Sequence, residues 1–112
     1  MLDAHAIEAF KALAQPTRMA LYRLLKSAGA DGLSAGAIAD RLNVPPPTLS
    51  FHLKEMSASG LVSSKRDGRR MIYALNGELV SRLAAFLASA PAPDEETGHV
   101  LPFSVANVVR AD

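Results

Sequence analysis

Cysteine is absent from the 112-residue chain. That removes disulfides, thiolate metal sites, a cysteine nucleophile and thiol redox switching. Excess charge is nearly absent too: 12 lysines and arginines face 11 acids, a net charge of +1, so any basic surface must be local. No apolar run approaches the roughly 18 residues of a membrane span, and the opening residues do not read as a signal peptide. A soluble, cytoplasmic chain with no membrane partner is therefore expected. The sequence also shows no nucleophile–base pair, no phosphate loop and no internal repeat. Ser50 and His52 lie two apart on a predicted helix, so their side chains point in different directions. Neither an enzyme nor a cofactor is expected.

What is present is 49% apolar residues in a length that suffices for one core. The predicted architecture is mainly α (α+β): about five helices with one β-hairpin, in a domain over residues 1–90, followed by a tail over 91–112. The tail is proline-rich, then acidic at Asp94, Glu95 and Glu96, then apolar from Val100 to Val109. It is expected to pack back on the domain.

Residues 34–59 carry the clearest grammar. Ile38 and Leu42 lie four apart, Asn43-Val44-Pro45 breaks the pattern, and Leu49, Leu53 and Met56 make a second apolar stripe. This is a helix-turn-helix, in which the second helix buries one side and offers the other to a DNA major groove. At about 100° per residue, Pro47, Ser50, Phe51 and Lys54 fall opposite the core and Thr48 falls on the flank. Hydroxyls at Thr48 and Ser50 suit base edges or phosphates, Lys54 suits a phosphate, and Phe51 suits a thymine methyl. Three consecutive prolines, 45–47, place the start of this helix near Pro46 or Pro47 and stiffen the turn. Pro45 has no side-chain oxygen with which to cap it.

Before this unit, Asp3 caps a first helix over 3–14, with Ile7, Phe10, Leu13 and Ala14 on one side. Pro16 begins a second helix over 16–27, with Leu21, Leu24 and Leu25 inward; Arg18, Arg23 and Lys26 read as solvated charges, with one of them lent to a DNA phosphate as the alternative. Leu33 and Ser34 open the third helix, Ser34 as its cap. After the unit, Gly60 stops the reading helix and Leu61–Arg66 reads as a strand. Asp67-Gly68 reads as the hairpin turn, and Arg69–Leu75 as the return strand. Lys65, Arg66, Arg69 and Arg70 then crowd the tip against Asp67 alone, as a wing that straddles a DNA backbone does. The alternative is a protein-interaction module that never touches DNA; it has less need of four cations beside an exposed Thr/Ser/Phe/Lys face.

A last helix runs from Asn76, its cap, to about Ala90, with Leu79, Val80, Leu83, Phe86 and Leu87 on its apolar side. So small a core cannot easily absorb this helix and the first one together. The expectation is a homodimer in which Ile7, Phe10, Leu79, Leu83, Phe86 and Leu87 meet across a twofold axis and two reading helices face successive grooves.

The order of elements resembles the ArsR/SmtB family of bacterial repressors. The matching stretches are Leu13-Ala14-Gln15-Pro16-Thr17-Arg18, Leu33 to Ala39, Thr48-Leu49-Ser50-Phe51-His52-Leu53-Lys54, Gly60-Leu61-Val62 and Gly68-Arg69-Arg70-Met71-Ile72-Tyr73. The resemblance covers about residues 5–90. It implies a homodimeric winged helix-turn-helix repressor that occupies a near-palindromic double-stranded operator and leaves when a small-molecule inducer binds. It also implies that DNA is read by Pro47, Thr48, Ser50, Phe51, His52 and Lys54, with Arg66, Arg69 and Arg70 from the wing. Helix geometry puts His52 nearer the buried flank, as a satisfied, partly buried histidine first and a phosphate contact second.

The departures from the family are chemical. A cysteine pair near the third helix is replaced by Ser34 and Gly36, and vicinal cysteines after the last helix by Ala90, Pro91 and Ala92. Zinc ligands on the last helix reduce to Glu78. The family's thiolate, zinc and sulfur-sensing sites cannot be built from these residues. No metal site is expected: His5, His99 and the 94–96 acids could gather a hard metal only if the termini meet in the dimer, and lone terminal histidines with a charged tail are the commoner reading. An apolar or organic inducer between the first and last helices, lidded by residues 100–109, is the stronger one.

Overall fold

A computed structural model describes residues 3–89. Five helices and a three-stranded antiparallel sheet follow one another as α1 (Asp3–Leu13), α2 (Pro16–Ala28), a single 3-10 turn (Gly29–Asp31), β1 (Leu33–Ser34), α3 (Ala35–Leu42), α4 (Pro46–Ala58), β2 (Val62–Asp67), β3 (Arg70–Leu75) and α5 (Gly77–Ala88). The tail over 91–112, with its proposed lid, His99 and the 94–96 acids, lies outside the described residues.

Side-chain caps explain where the helices begin. The Gln15 side-chain oxygen accepts from the Arg18 amide at 2.9 Å, one position ahead of Pro16. Ser34 accepts from the Ala37 amide at 3.1 Å, and Asn76 from the Leu79 amide at 3.2 Å. Each satisfies an amide that the first helical turn leaves without a partner.

The sheet runs β1-β3-β2, and β1 was not expected. Leu33 and Ser34 do not open the third helix; they pair with Tyr73 and Ile72 of β3, and only then does Ser34 cap α3. Gly32 makes this approach possible. Its φ is +68°, and a Cβ there would collide with the Tyr73 carbonyl oxygen.

The core lies where α2, α3 and α4 meet the base of the hairpin. Leu21, Leu25, Ile38, Leu49, Met56 and Leu61 are its largest fully buried side chains, each worth about 1.5–3 kcal/mol of transfer free energy. Helix α1 joins it differently from the expected stripe. Its buried residues are Ala6, Ala9 and Ala12, which allow close packing, while Ile7 is 52% exposed and Phe10 only half-buried. On α5, Leu83 is buried in the chain's own core, so it is not available as a free dimer contact. Leu79 packs against the same core, whereas Phe86 and Leu87 face outward.

Candidate nucleic-acid interface

The turn between α3 and α4 is built by backbone geometry. Asn43 adopts the left-handed conformation, φ +54° and ψ +48°. Its amide donates to the Asp40 carbonyl at 3.3 Å, and the Val44 amide donates to the Ala39 carbonyl at 3.1 Å. This is a Schellman termination, with Val44 folded onto the core. Pro45 then stands extended at the head of α4 with no side-chain cap, and Pro46 begins the helix. The other end repeats the device: the Gly60 amide reaches Ser57 O, the Leu61 amide reaches Met56 O, and Gly60 takes φ +85°. The reading helix is thus clamped at both ends.

Its two sides separate as the helical period requires. Leu49, His52, Leu53 and Met56 are buried; Pro47, Thr48, Ser50, Phe51 and Lys54 are exposed. Phe51, at 54% exposed, is the one large apolar side chain on the outer face. His52 is 7% exposed and stands with the core set, where its ring is held from behind.

What holds it is Arg18. The expectation that Arg18 is a solvated charge is overturned: it is half-buried, and its Nε donates to His52 Nδ1 at 3.0 Å. Its Nη1 approaches the Ala12 carbonyl at the end of α1, 3.5 Å away, and its guanidinium lies 5.6 Å from the centre of the Phe51 ring. Burial, and then the Arg18 charge, hold the His52 imidazole below its ordinary value, so the neutral ring is favoured. A neutral ring that accepts at Nδ1 carries its proton on Nε2. The family-like run containing His52 was visible in the sequence, but nothing in helical periodicity pointed across 34 residues to Arg18.

The hairpin differs from expectation by one residue. Asp67 pairs with Arg70, so Gly68 and Arg69 form the two-residue turn, with Gly68 at φ +63°. Lys65, Arg66, Arg69 and Arg70 are all exposed. The register divides them: Arg66 opposes Met71 on the face that Val62, Tyr73 and Leu75 use for packing, and Lys65 opposes Ile72 on the other. Arg70 is partnered by Asp67 at 3.5 Å, an exposed ion pair of small energetic weight.

A cavity of about 340 Å³ lies between α1, the end of α4 and the start of α5. Its walls include the polar His5, Glu8 and Arg82 and the apolar Ala58 and Leu79. It also touches Ser59 and Gly60 at the end of the reading helix and Asn76 at the base of the wing. Among the described residues no group of three histidines or acids is placed to hold a metal ion. No helix among them is long and apolar enough to cross a membrane.

A helix-turn-helix with an exposed second helix, followed by a basic two-stranded hairpin, defines a winged helix-turn-helix protein. Residues 13–64 match the model of a helix-turn-helix domain family. The transcriptional repressor SdpR of Bacillus subtilis is 39% identical over 67 residues, which are 60% of this chain and 71% of that protein. An ArsR-like transcriptional regulator from Rhodococcus sp. RHA1 superposes with a TM-score of 0.66 at 32% identity, covering 75% of this chain and 76% of its own. A homodimeric winged helix-turn-helix DNA-binding domain from Mycobacterium bovis superposes with a TM-score of 0.64 at 31% identity, covering 75% of each. The chain belongs to the ArsR/SmtB family of winged helix-turn-helix transcriptional regulators. It is a regulator with a DNA-binding domain and not an enzyme.

Proposed function

We propose that the chain is a homodimeric repressor that recognises a specific double-stranded operator and is released from it by a small molecule. The observation that carries this reading is the division of α4. Its buried side and both its ends are locked, while Pro47, Thr48, Ser50, Phe51 and Lys54 stand free beside a wing tip of four exposed cations. The helix face supplies groups that discriminate bases, and the wing supplies charge that any sequence attracts. His52 serves from behind, as a buried support for the face.

Dimerisation is supported by Ile7, Phe86 and Leu87, large apolar side chains left outward on the two terminal helices. The Mycobacterium bovis neighbour is itself homodimeric. Release by a ligand is supported by the cavity between α1 and α5, whose occupant would touch the end of the reading helix and the base of the wing together. Its walls combine the charged Glu8 and Arg82 with the apolar Ala58 and Leu79, as an organic molecule with both kinds of group would require.

The test is fluorescence anisotropy with duplex DNA from the region upstream of the chain's own gene and a scrambled duplex, across a salt series. Preference for the native duplex, steep in salt, at two protomers per site is the expected result. Absence of binding to any DNA at low salt would replace this function with a protein-interaction module.

A further inference from the structure

Phe51 is the largest group on the reading face, and an exposed ring on a helix surface ordinarily samples several rotamers. A base contact made by a mobile ring loses discrimination, because its ordering must be repaid on binding. Here the ring is bracketed. His52 meets it edge-on, with centroids 5.6 Å apart and an interplanar angle of 65°. Arg18 brings its guanidinium to 5.6 Å from the ring centroid. The guanidinium is itself fixed by Nε on His52 at 3.0 Å and by Nη1 near Ala12 O at 3.5 Å. No carboxylate among the described residues forms an ion pair with it. Nε and Nη1 are engaged by His52 and by the end of α1.

We propose that Arg18 is a positioning residue for sequence readout: it touches no DNA, and it fixes the Phe51 ring at the angle from which that ring enters the groove. The proposal rests on the DNA-reading function above. A guanidinium suits the task because its planar fork donates at its edge while its face meets an aromatic ring. A lysine ammonium keeps the charge but lacks the plane.

The experiment uses the full chain, the duplex that the wild type enriches from a random-sequence pool, and an unselected duplex as reference. Arg18→Gln and Arg18→Lys should each lower the ratio of the two affinities about tenfold, the worth of one base position, as Phe51→Ala does. The double variant Arg18→Gln/Phe51→Ala should lose no more than Phe51→Ala alone. The salt slope should keep its wild-type value, since no phosphate contact is removed. Circular dichroism checks the fold, and Arg18→Met, which keeps the packed stem, replaces Arg18→Gln if that variant unfolds. A slope reduced by about one with the ratio intact would put Arg18 on a phosphate and overturn the proposal. So would losses that simply add in the double variant. A wild type that enriches no sequence removes the DNA-reading function itself, and the proposal with it; a wild type that enriches a sequence whose preference the Arg18 variants keep removes the proposal alone.

Discussion

Arg18 Nε donates to His52 Nδ1 at 3.0 Å, joining α2 to the buried side of the reading helix. The bond needs a neutral imidazole. Protonation turns the acceptor into a donor and sets two cations side by side. Burial and Arg18 lower the His52 pKa from its ordinary 6.5. Above that value both folded and unfolded chains hold the ring neutral. As pH falls below it the unfolded chain takes up the proton first, and the folded state loses stability until its own lower pKa is passed. Urea-unfolding midpoints should therefore fall as pH drops below the ordinary histidine value of 6.5, and His52→Asn should flatten that decline. An unchanged decline in the variant would assign it to other groups.

Gly32 and Gly29 both occupy a backbone region open essentially to glycine, with φ near +70° and ψ of −166° and −157°. Only Gly32 also meets an obstacle, the Tyr73 carbonyl; nothing lies within 4 Å of a Cβ at Gly29. Gly29→Ala should cost about 1–3 kcal/mol, and Gly32→Ala at least about 1 kcal/mol more, because β1 must move off β3. Thermal or denaturant unfolding decides it, and equal losses would mean that the pairing of β1 with β3 does not depend on this close approach.

The wing cations should not be equivalent. Arg69 at the turn and Lys65 on the strand have no ion-pair partner among the described residues, whereas Arg70 is paired with Asp67. Lys65→Ala and Arg69→Ala should each lower the log–log salt slope of DNA binding by about 0.9. Asp67→Asn should tighten binding to every sequence by freeing Arg70. Titrations at several salt concentrations measure both effects, and a change in sequence preference with an untouched slope would take the tip off the phosphates.

The outward apolar residues of the terminal helices give a fourth prediction. Ile7→Glu combined with Leu87→Glu places four like charges across the proposed twofold interface while disturbing little within one chain, where both residues are exposed. Sedimentation should show dimer for the wild type and monomer for the variant, with helical content preserved. A dimer that survives would move the interface elsewhere.

Much of this arrangement was legible because its signals are local. Ser34 and Asn76 announce helix starts, Asn43 and Gly60 mark left-handed stops, and the 3.6-residue period sorts Leu49 from Ser50. The parts that were not legible depend on distant partners. Leu33 and Ser34 become a strand only because β3 is there to pair with them, and two residues carry no period. In α1, alanines at 6, 9 and 12 outrank Ile7 and Phe10 for the interior because the helix packs close, a choice that residue hydrophobicity alone reverses. The hairpin turn moved one residue because Asp67 and Arg70 close the ladder. Arg18 looked like a surface charge because its partners, His52 and Phe51, lie 34 and 33 positions away.

Selection of duplexes from a random-sequence pool by the native chain, followed by the stoichiometry of the enriched complex, tests whether two protomers read one operator. Two reading helices related by a twofold axis should enrich an inverted repeat whose half-site centres lie about 10 base pairs apart, bound by two protomers. Enrichment of a single unrepeated site, one protomer per duplex, or no sequence at all would contradict it.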